Sequence, residues 1–457
     1  MPRLIELRWP DHGMPDRPPP LSREELEARL RSVRAGMEAR GWGALVVYGD
    51  REHTANLHWL TGFDARFEEA LLVVTPSEAH LLAGNECFPY AGISPLVQAG
   101  RVEVHLVPSL SLVSQPRDGM RLGEAVRRFV PEGGTIGAAG WKYWTAEEVE
   151  EPALALDLPA VIADLLRGRA RVENAGEMFM HPDHGLRCTV DAAEIARLEF
   201  ANAHAARAVR RLLAGLREGM TDFEAVEGAG LSGLPLSCHV TFATRARALQ
   251  GMSSPTGERL VRGSPASFNI ASQGANICRA GWIAEGEADL PSGARDTLDA
   301  FVGPYFEAMS EWCGLMRPGV TGGQVWEHMR NRLPPDPFGV TLNPGHLIGL
   351  DEWISSPIFR DSDLPLRSGM AMQMDVIPGH PVHASTRLED GYVLADEGLR
   401  ADLAARFPEV ARRCEARAGF MRETLGMDVP DTLLPLSDTC GLLAPWFLAP
   451  ERVLTLA

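Results

Sequence analysis

Two stretches in the second half of the chain, "GLREGMTDFEAVE" (215–227) and "GLMRPGVTGGQVWE" (314–327), repeat one another. Each reads as a helix end, a glycine turn and a fresh helix. The new helix is capped by Thr221 with Glu224 in the first copy and by Thr321 with Gln324 in the second. A long helical run, "DAAEIARLEFANAHAARAVRRLLAGL", leads into the first copy. Strand-rich segments come after each copy: "SFNIASQGANICRAGWI" after the first, "AMQMDVIPG" and "TRLEDGYVLA" after the second. A helix–helix–strand unit met twice predicts a sheet with pseudo-twofold symmetry, covered by two helix pairs.

The first half has a different rhythm. After a proline-rich stretch, read as an extended N-terminal arm over 1–21, "LSREELEARLRSVRAGMEARGW" opens with a capping box at Ser22 and Glu25 and runs as a helix to Gly41. "GALVVYG", "HWLTGF", "EALLVVTP", "EAHLLAG", "EVHLVP" and "GTIGAAG" read as strands, with a helix at "LGEAVRRFV". Strands alternating with helices predict an α/β domain over 22–170. "ENAGEMFMHPDHGLRCTVD" (173–191) reads as a linker. A second domain is expected over 185–425, with a C-terminal extension over 426–457.

A chain of 457 residues, 45% of them hydrophobic, can bury two cores. The net charge of −17 argues against nucleic acid or an anionic membrane as a partner. Seven scattered cysteines without a CxxC pair read as a reduced, cytoplasmic protein without a structural zinc–thiolate site. The stretch 1–20 has no apolar core of the kind a signal peptide needs, and no apolar run is long enough to span a membrane.

For chemistry, "NPGHLIGLDEW" (343–353) stands out. His346 lies between glycines in an apolar setting, and histidine suits proton transfer or metal binding near neutral pH. On the predicted strand "ANICRAGW", Asn276, Cys278 and Ala280 alternate to one face, so Cys278 is a candidate pocket thiol, either nucleophile or small buried hydrophobe. Cys238 and His239 are adjacent, so on a strand they point to opposite faces and form no dyad. His380 and His383 lie in a loop and read as ordinary surface histidines.

As an ordered set, "HWLTGF", "SSPTGERLVRG", "MRPGVT", "GHLIGL", "SGMAMQMDVIP" and "RLEDGYVLADEG" resemble the pita-bread superfamily of creatinase, prolidase, aminopeptidase P and methionine aminopeptidase, over about residues 22–400. The resemblance implies an α+β pita-bread C-terminal domain with an N-terminal α/β domain of the creatinase type, ribonuclease H-like in fold. Metallopeptidases of this superfamily hold two metal ions with two Asp, one His and two Glu. Carried over by position, these fall on Asn269, Ala280, His346, Asp375 and Glu389. Alanine offers no donor, so the resemblance implies no dinuclear centre and no cofactor. A single ion on His346, Asp375 and Glu389 stays open.

Creatinase also lacks metals and has Asn where Asn269 stands, but its proton-shuttling histidine falls on Met252 here, which transfers no protons. His239, in the pocket-lining region, is the candidate replacement. By the same resemblance His346, Asp375 and Glu389 share a pocket as acid–base groups, and Asn269 orients substrate. Arg66 and Phe67 stand near the segment that, in creatinase, reaches the partner subunit's site and holds the substrate carboxylate. The implied function is a metal-independent hydrolase of a C–N bond in a small amino-acid-like or guanidino-like molecule, working as a homodimer with sites completed in trans. The alternatives are a non-catalytic small-molecule-binding relative, a lyase on the same fold, and an Xaa-Pro peptidase-like enzyme with a residual metal site.

Overall fold

The two repeated turns fold alike. In a computed structural model, which describes residues 2–65 and 67–457, Thr221 and Thr321 each cap the next helix, and each donates its own N–H in return to the side-chain oxygen of Glu224 or Gln324. The preceding glycines, Gly219 and Gly319, hold φ of 85° and 92°, a left-handed turn that a side chain would strain. Each turn then pairs with a later segment in the same way. Gly219 donates to the Leu260 carbonyl and Leu260 to Met220; Gly319 donates to the Leu366 carbonyl and Leu366 to Val320.

Each turn leads into a four-stranded antiparallel sheet. The first runs Arg387–Glu389, Ala275–Trp282, Pro265–Ser272, Thr241–Thr244; the second runs His346–Leu347, Ala371–Gln373, Gly391–Leu394, Leu433–Pro435. "TRLEDGYVLA", read as one strand, is two. The chain breaks at Asp390 and crosses from one sheet to the other, which sets Glu389 where the sheets meet. Helices Ala192–Gly215 and Asp222–Ala229 cover the first repeat, with Val209, Leu212, Phe242, Phe268 and Ile277 in its core. Gly303–Leu315 and Gly322–Arg332 belong to the second.

This unit comprises residues 2–19 and 188–457. The stretch read as an extended arm is part of it: Arg3–Glu6 pairs antiparallel with Arg452–Thr455.

The other unit is residues 20–187. Its six-stranded mixed sheet runs Glu103–Leu106, Ala79–Ala83, Ala70–Val74, Trp42–Gly49, Thr135–Ala139, Arg171–Asn174. Val46, Leu71, Leu82, Val126, Phe129 and Ile162 pack on one face. "HWLTGF" is not a strand but the end of the helix Ala55–Thr61, stopped by Gly62 in the left-handed region. Its residues Leu57, Leu60 and Thr61 are buried with three-to-four residue spacing, which a short window cannot tell from a strand. The expected linker is also ordered. It begins inside the strand Arg171–Asn174 and holds the helix Gly176–Met180 and backbone bonds from Leu186 to Met178 and Arg187 to Phe179. Among the described residues no helix is long and apolar enough to cross a membrane.

Candidate active site

His346 opens the short strand that pairs with Gln373 and Met372. Gly345 before it holds φ of 117°, and a Cβ there would meet the Gln373 carbonyl oxygen at 2.8 Å. Glycine is therefore what lets the backbone reach the sheet with the imidazole pointing inward. After His346 the chain turns tightly and returns: Leu347 bonds to Ser355, and Ile354 back to Leu347. This return lays Trp353 flat on the imidazole, with centroids 4.0 Å apart and planes at 21°. It also brings Glu352 to the ring.

The histidine is fully buried. Its Nδ1 lies 3.2 Å from the Leu347 carbonyl, a bond in which the ring N–H must donate. Nε2 then faces two carboxylates, Glu352 Oε1 at 3.4 Å and Asp375 Oδ2 at 3.9 Å. Burial pulls the imidazole pKa down, but the Glu352 hydrogen bond and charge, with the Asp375 charge, hold it above its ordinary value. Glu352, although largely buried, stays below the usual carboxylate range because His346 and the Asn276 amide stabilise its charge.

Glu389 completes the cluster. It is paired in register with Cys278, and Cys278 with Asn269 on its other side. Its Oε1 accepts from Asn276 Nδ2 at 2.9 Å and from Gln373 Nε2 at 3.2 Å. Burial, then the charges of Asp375 and Glu352, push its pKa well above the ordinary value, against the opposing pull of Gln373 and Arg387. Asp375 is raised too, by burial and by Glu352, despite His346 and Arg387. Several buried polar atoms here have no hydrogen-bond partner among the described residues: Asp375 Oδ1, Gln373 Oε1, Thr386 Oγ1 and Arg387 Nε. Burying such atoms unpaired is costly, so they mark a place built to receive something polar.

Of the residues singled out from sequence, His346, Asp375, Glu389, Asn269 and Cys278 come together. Cys278 is buried, 3.6 Å from an Arg387 nitrogen, and burial pushes its thiol up to about 12, the opposite of an activated nucleophile. Asn269 accepts the Thr241 N–H at 2.7 Å and donates to Asn276 Oδ1 at 3.2 Å. His239 is exposed and lies 3.0 Å from the Met252 carbonyl, outside the buried cluster; its neighbour Cys238 is the one that faces Asn269 and the carboxylates. Phe67 is exposed in its own unit, and Arg66 lies outside the described residues.

Sequence reasoning missed Glu352, Gln373 and Arg387. Glu352 stands in the same "NPGHLIGLDEW" stretch; the signal was Gly349 and Asp351, whose backbone bond at 3.0 Å makes the turn that carries it back.

The donor set fits the two-ion arrangement poorly. Both polar atoms of Asn269 are already paired, and Ala280, beside Ser267 and Arg387, has nothing to offer. It fits one ion better: donor atoms of His346, Glu352 and Glu389 lie within 4.8 Å of one another.

No protein-family model matches the sequence, and no curated protein matches it. Solved structures do match. The prolidase from Pyrococcus horikoshii OT3 superposes with a TM-score of 0.63 at 15% identity, over 80% of this chain and 95% of that one. An X-Pro aminopeptidase from Thermotoga maritima MSB8 gives a TM-score of 0.61 at 19% identity, over 81% and 95%. The N-terminal domain of FACT complex subunit SPT16 from Cicer arietinum gives 0.57 at 16%, over 81% and 94%. With nearly the whole of each of these structures matched, the two units and the paired sheets identify the chain as one with the two-domain pita-bread fold.

Proposed function

We propose that the chain is a hydrolase of a C–N bond in a small amino-acid-like or guanidino-like molecule, working by acid–base chemistry at His346 without a dinuclear metal centre. One observation carries this reading: an imidazole favoured in its charged form stands 3.4 Å from a carboxylate favoured in its ionised form, in a buried pocket with unpaired polar atoms. Glu352 takes a proton from water as its oxygen attacks the carbon. His346 gives its proton to the departing nitrogen, and transfer from Glu352 back to His346 resets the pair. Glu389 and Asp375, whose carboxyls burial holds above their ordinary pKa, line the pocket beside this pair. Asn269 and Asn276 orient it. The prolidase and aminopeptidase names of the structural neighbours support C–N bond cleavage as the reaction class.

The second reading is an Xaa-Pro peptidase-like enzyme with one metal ion, favoured by the mutual proximity of the His346, Glu352 and Glu389 donors. Such an ion would polarise the scissile carbonyl.

Both readings are tested on the purified chain, before and after dialysis against EDTA, with Xaa-Pro dipeptides, guanidino acids and N-acyl amino acids. Turnover that survives metal removal supports the first reading. Turnover restored only by Mn, Co or Zn supports the second. Ligand binding without turnover overturns both in favour of a binding protein. We also propose a cytoplasmic homodimer in which Arg66 and Phe67 complete the partner's site, the twofold pair being the commonest closed assembly. A monomer by light scattering overturns that.

A further inference from the structure

The smaller unit brings two histidines and a carboxylate to one point, on the outermost strand of its sheet. Glu103–Leu106 is that edge strand and, among the described residues, pairs only with Ala79–Ala83, in parallel register: His80 beside Glu103, Leu82 beside His105. Alternation puts Glu103 and His105 on one face. There His80 Nδ1 lies 3.2 Å from His105 Nε2, and Glu103 Oε2 is 3.7 Å from the first nitrogen and 3.8 Å from the second. A hydrogen bond between the imidazoles accounts for one of these distances. It does not account for a carboxylate oxygen standing almost equidistant from both nitrogens.

The far side of His80 points the same way. Its Nε2 is 3.2 Å from Glu78 Oε2. An imidazole that donates Nε2–H to a carboxylate keeps its Nδ1 lone pair free, which is how metal-bound histidines are usually oriented. Phe129 lies against both rings, with centroids at 4.5 and 4.2 Å, and fixes their planes. Tetrahedral zinc with ligands at ~2.0–2.1 Å sets its donors ~3.3 Å apart, so the three atoms need only close by a few tenths of an ångström.

We propose that His80, Glu103 and His105 form a zinc site, with water in the fourth position, that pins the edge strand to its neighbour. Zinc suits this set of two imidazoles and one carboxylate. The ion replaces the proton shared between the two imidazoles. An edge strand otherwise presents unpaired backbone groups, and a bond across its only ladder holds it in place.

The test is Zn2+ titration of the EDTA-stripped full chain by calorimetry, with histidine imidazole NMR. In the wild type, Zn2+ shifts the His80 and His105 ring signals. Glu103→Gln and His105→Gln each lose that binding step or weaken it at least 10-fold, and Glu78→Gln weakens it about 10–100-fold while keeping the stoichiometry. His346→Gln and His184→Gln, in two further histidine-containing clusters, leave this step intact. Glu103 is exposed, so Glu103→Gln reads out even if His105→Gln misfolds. Unmoved His80 and His105 signals at saturating Zn2+ overturn the proposal. So does wild-type affinity and stoichiometry in folded Glu103→Gln.

Discussion

Asn276 Nδ2 donates to Glu389 Oε1 at 2.9 Å, and the same nitrogen lies 3.2 Å from Glu352 Oε1. One neutral amide thus bridges two acidic side chains, Glu389 buried and Glu352 partly exposed, that would otherwise repel. Asn276→Ala should destabilise the protein by about 1.5–3 kcal/mol, the usual weight of hydrogen bonds to charged groups. Asn276→Asp should do worse in the metal-free protein, by adding a charge beside two others. Urea unfolding checks both. A stability equal to wild type in Asn276→Asp would mean that a cation already sits among these groups.

His346→Gln keeps size and hydrogen bonding but cannot carry the proton. Turnover on any substrate found should fall about 10²–10⁴-fold, with near-native stability. Activity spared by the change would make His346 a packing residue.

The stability of the EDTA-treated protein should depend on pH with a defined sign. Glu389, Asp375 and His346 hold protons more tightly folded than their ordinary values of 4.5, 3.8 and 6.5 allow. Each contributes stability below its unfolded pKa and loses it as pH rises through its folded one. Glu352 does the reverse, contributing above 4.5 and losing its share in acid. His12, His105, His204 and His383, all held below 6.5 by burial, act the other way. The Glu389 share is therefore read as a difference: the urea midpoint of wild type relative to Glu389→Gln should fall from about pH 5 to about pH 8, and a difference that rises over that window would contradict it.

Arg279 holds the strand that presents Glu389. Its guanidinium is buried, pairs with buried Asp390 at 2.7 Å, and donates to the carbonyls of Cys278, Glu389, Thr439 and Leu442. Arg279→Met should destabilise by about 3–5 kcal/mol, because Asp390 is left buried without its cation. Asp390→Asn in the same background should recover part of that loss, measured as a double-mutant cycle.

How far the site could be read from sequence depends on how its residues meet. His346, Asp375 and Glu389 were legible because their local motifs resemble a known pattern. Cys278 and Asn276 were legible because a strand alternates. Glu352 depended on a turn, and Gln373 on a cross-strand register with His346, neither of which leaves a periodic trace. The same limit explains "HWLTGF", where helix and strand bury similar residues until Gly62 decides. His239 was placed near the site by neighbourhood; residues 238 and 239 lie at a bend rather than in a strand, so the expected opposite facing fails, with Cys238 Sγ 4.0 Å from His239 Nδ1 while the His239 Nε2 side turns to the Met252 carbonyl.

The pairing of Arg3–Glu6 with Arg452–Thr455 has a consequence on the ribosome. At about 5–20 residues per second, the first strand waits of the order of half a minute or more for its partner to be made. Residues 20–187, a separate compact unit, have all emerged long before then. The nascent chain therefore carries a folded domain behind a loose leading strand. Until synthesis reaches Arg452, that strand is open to chaperones, proteases and the same segment on a neighbouring polysome chain.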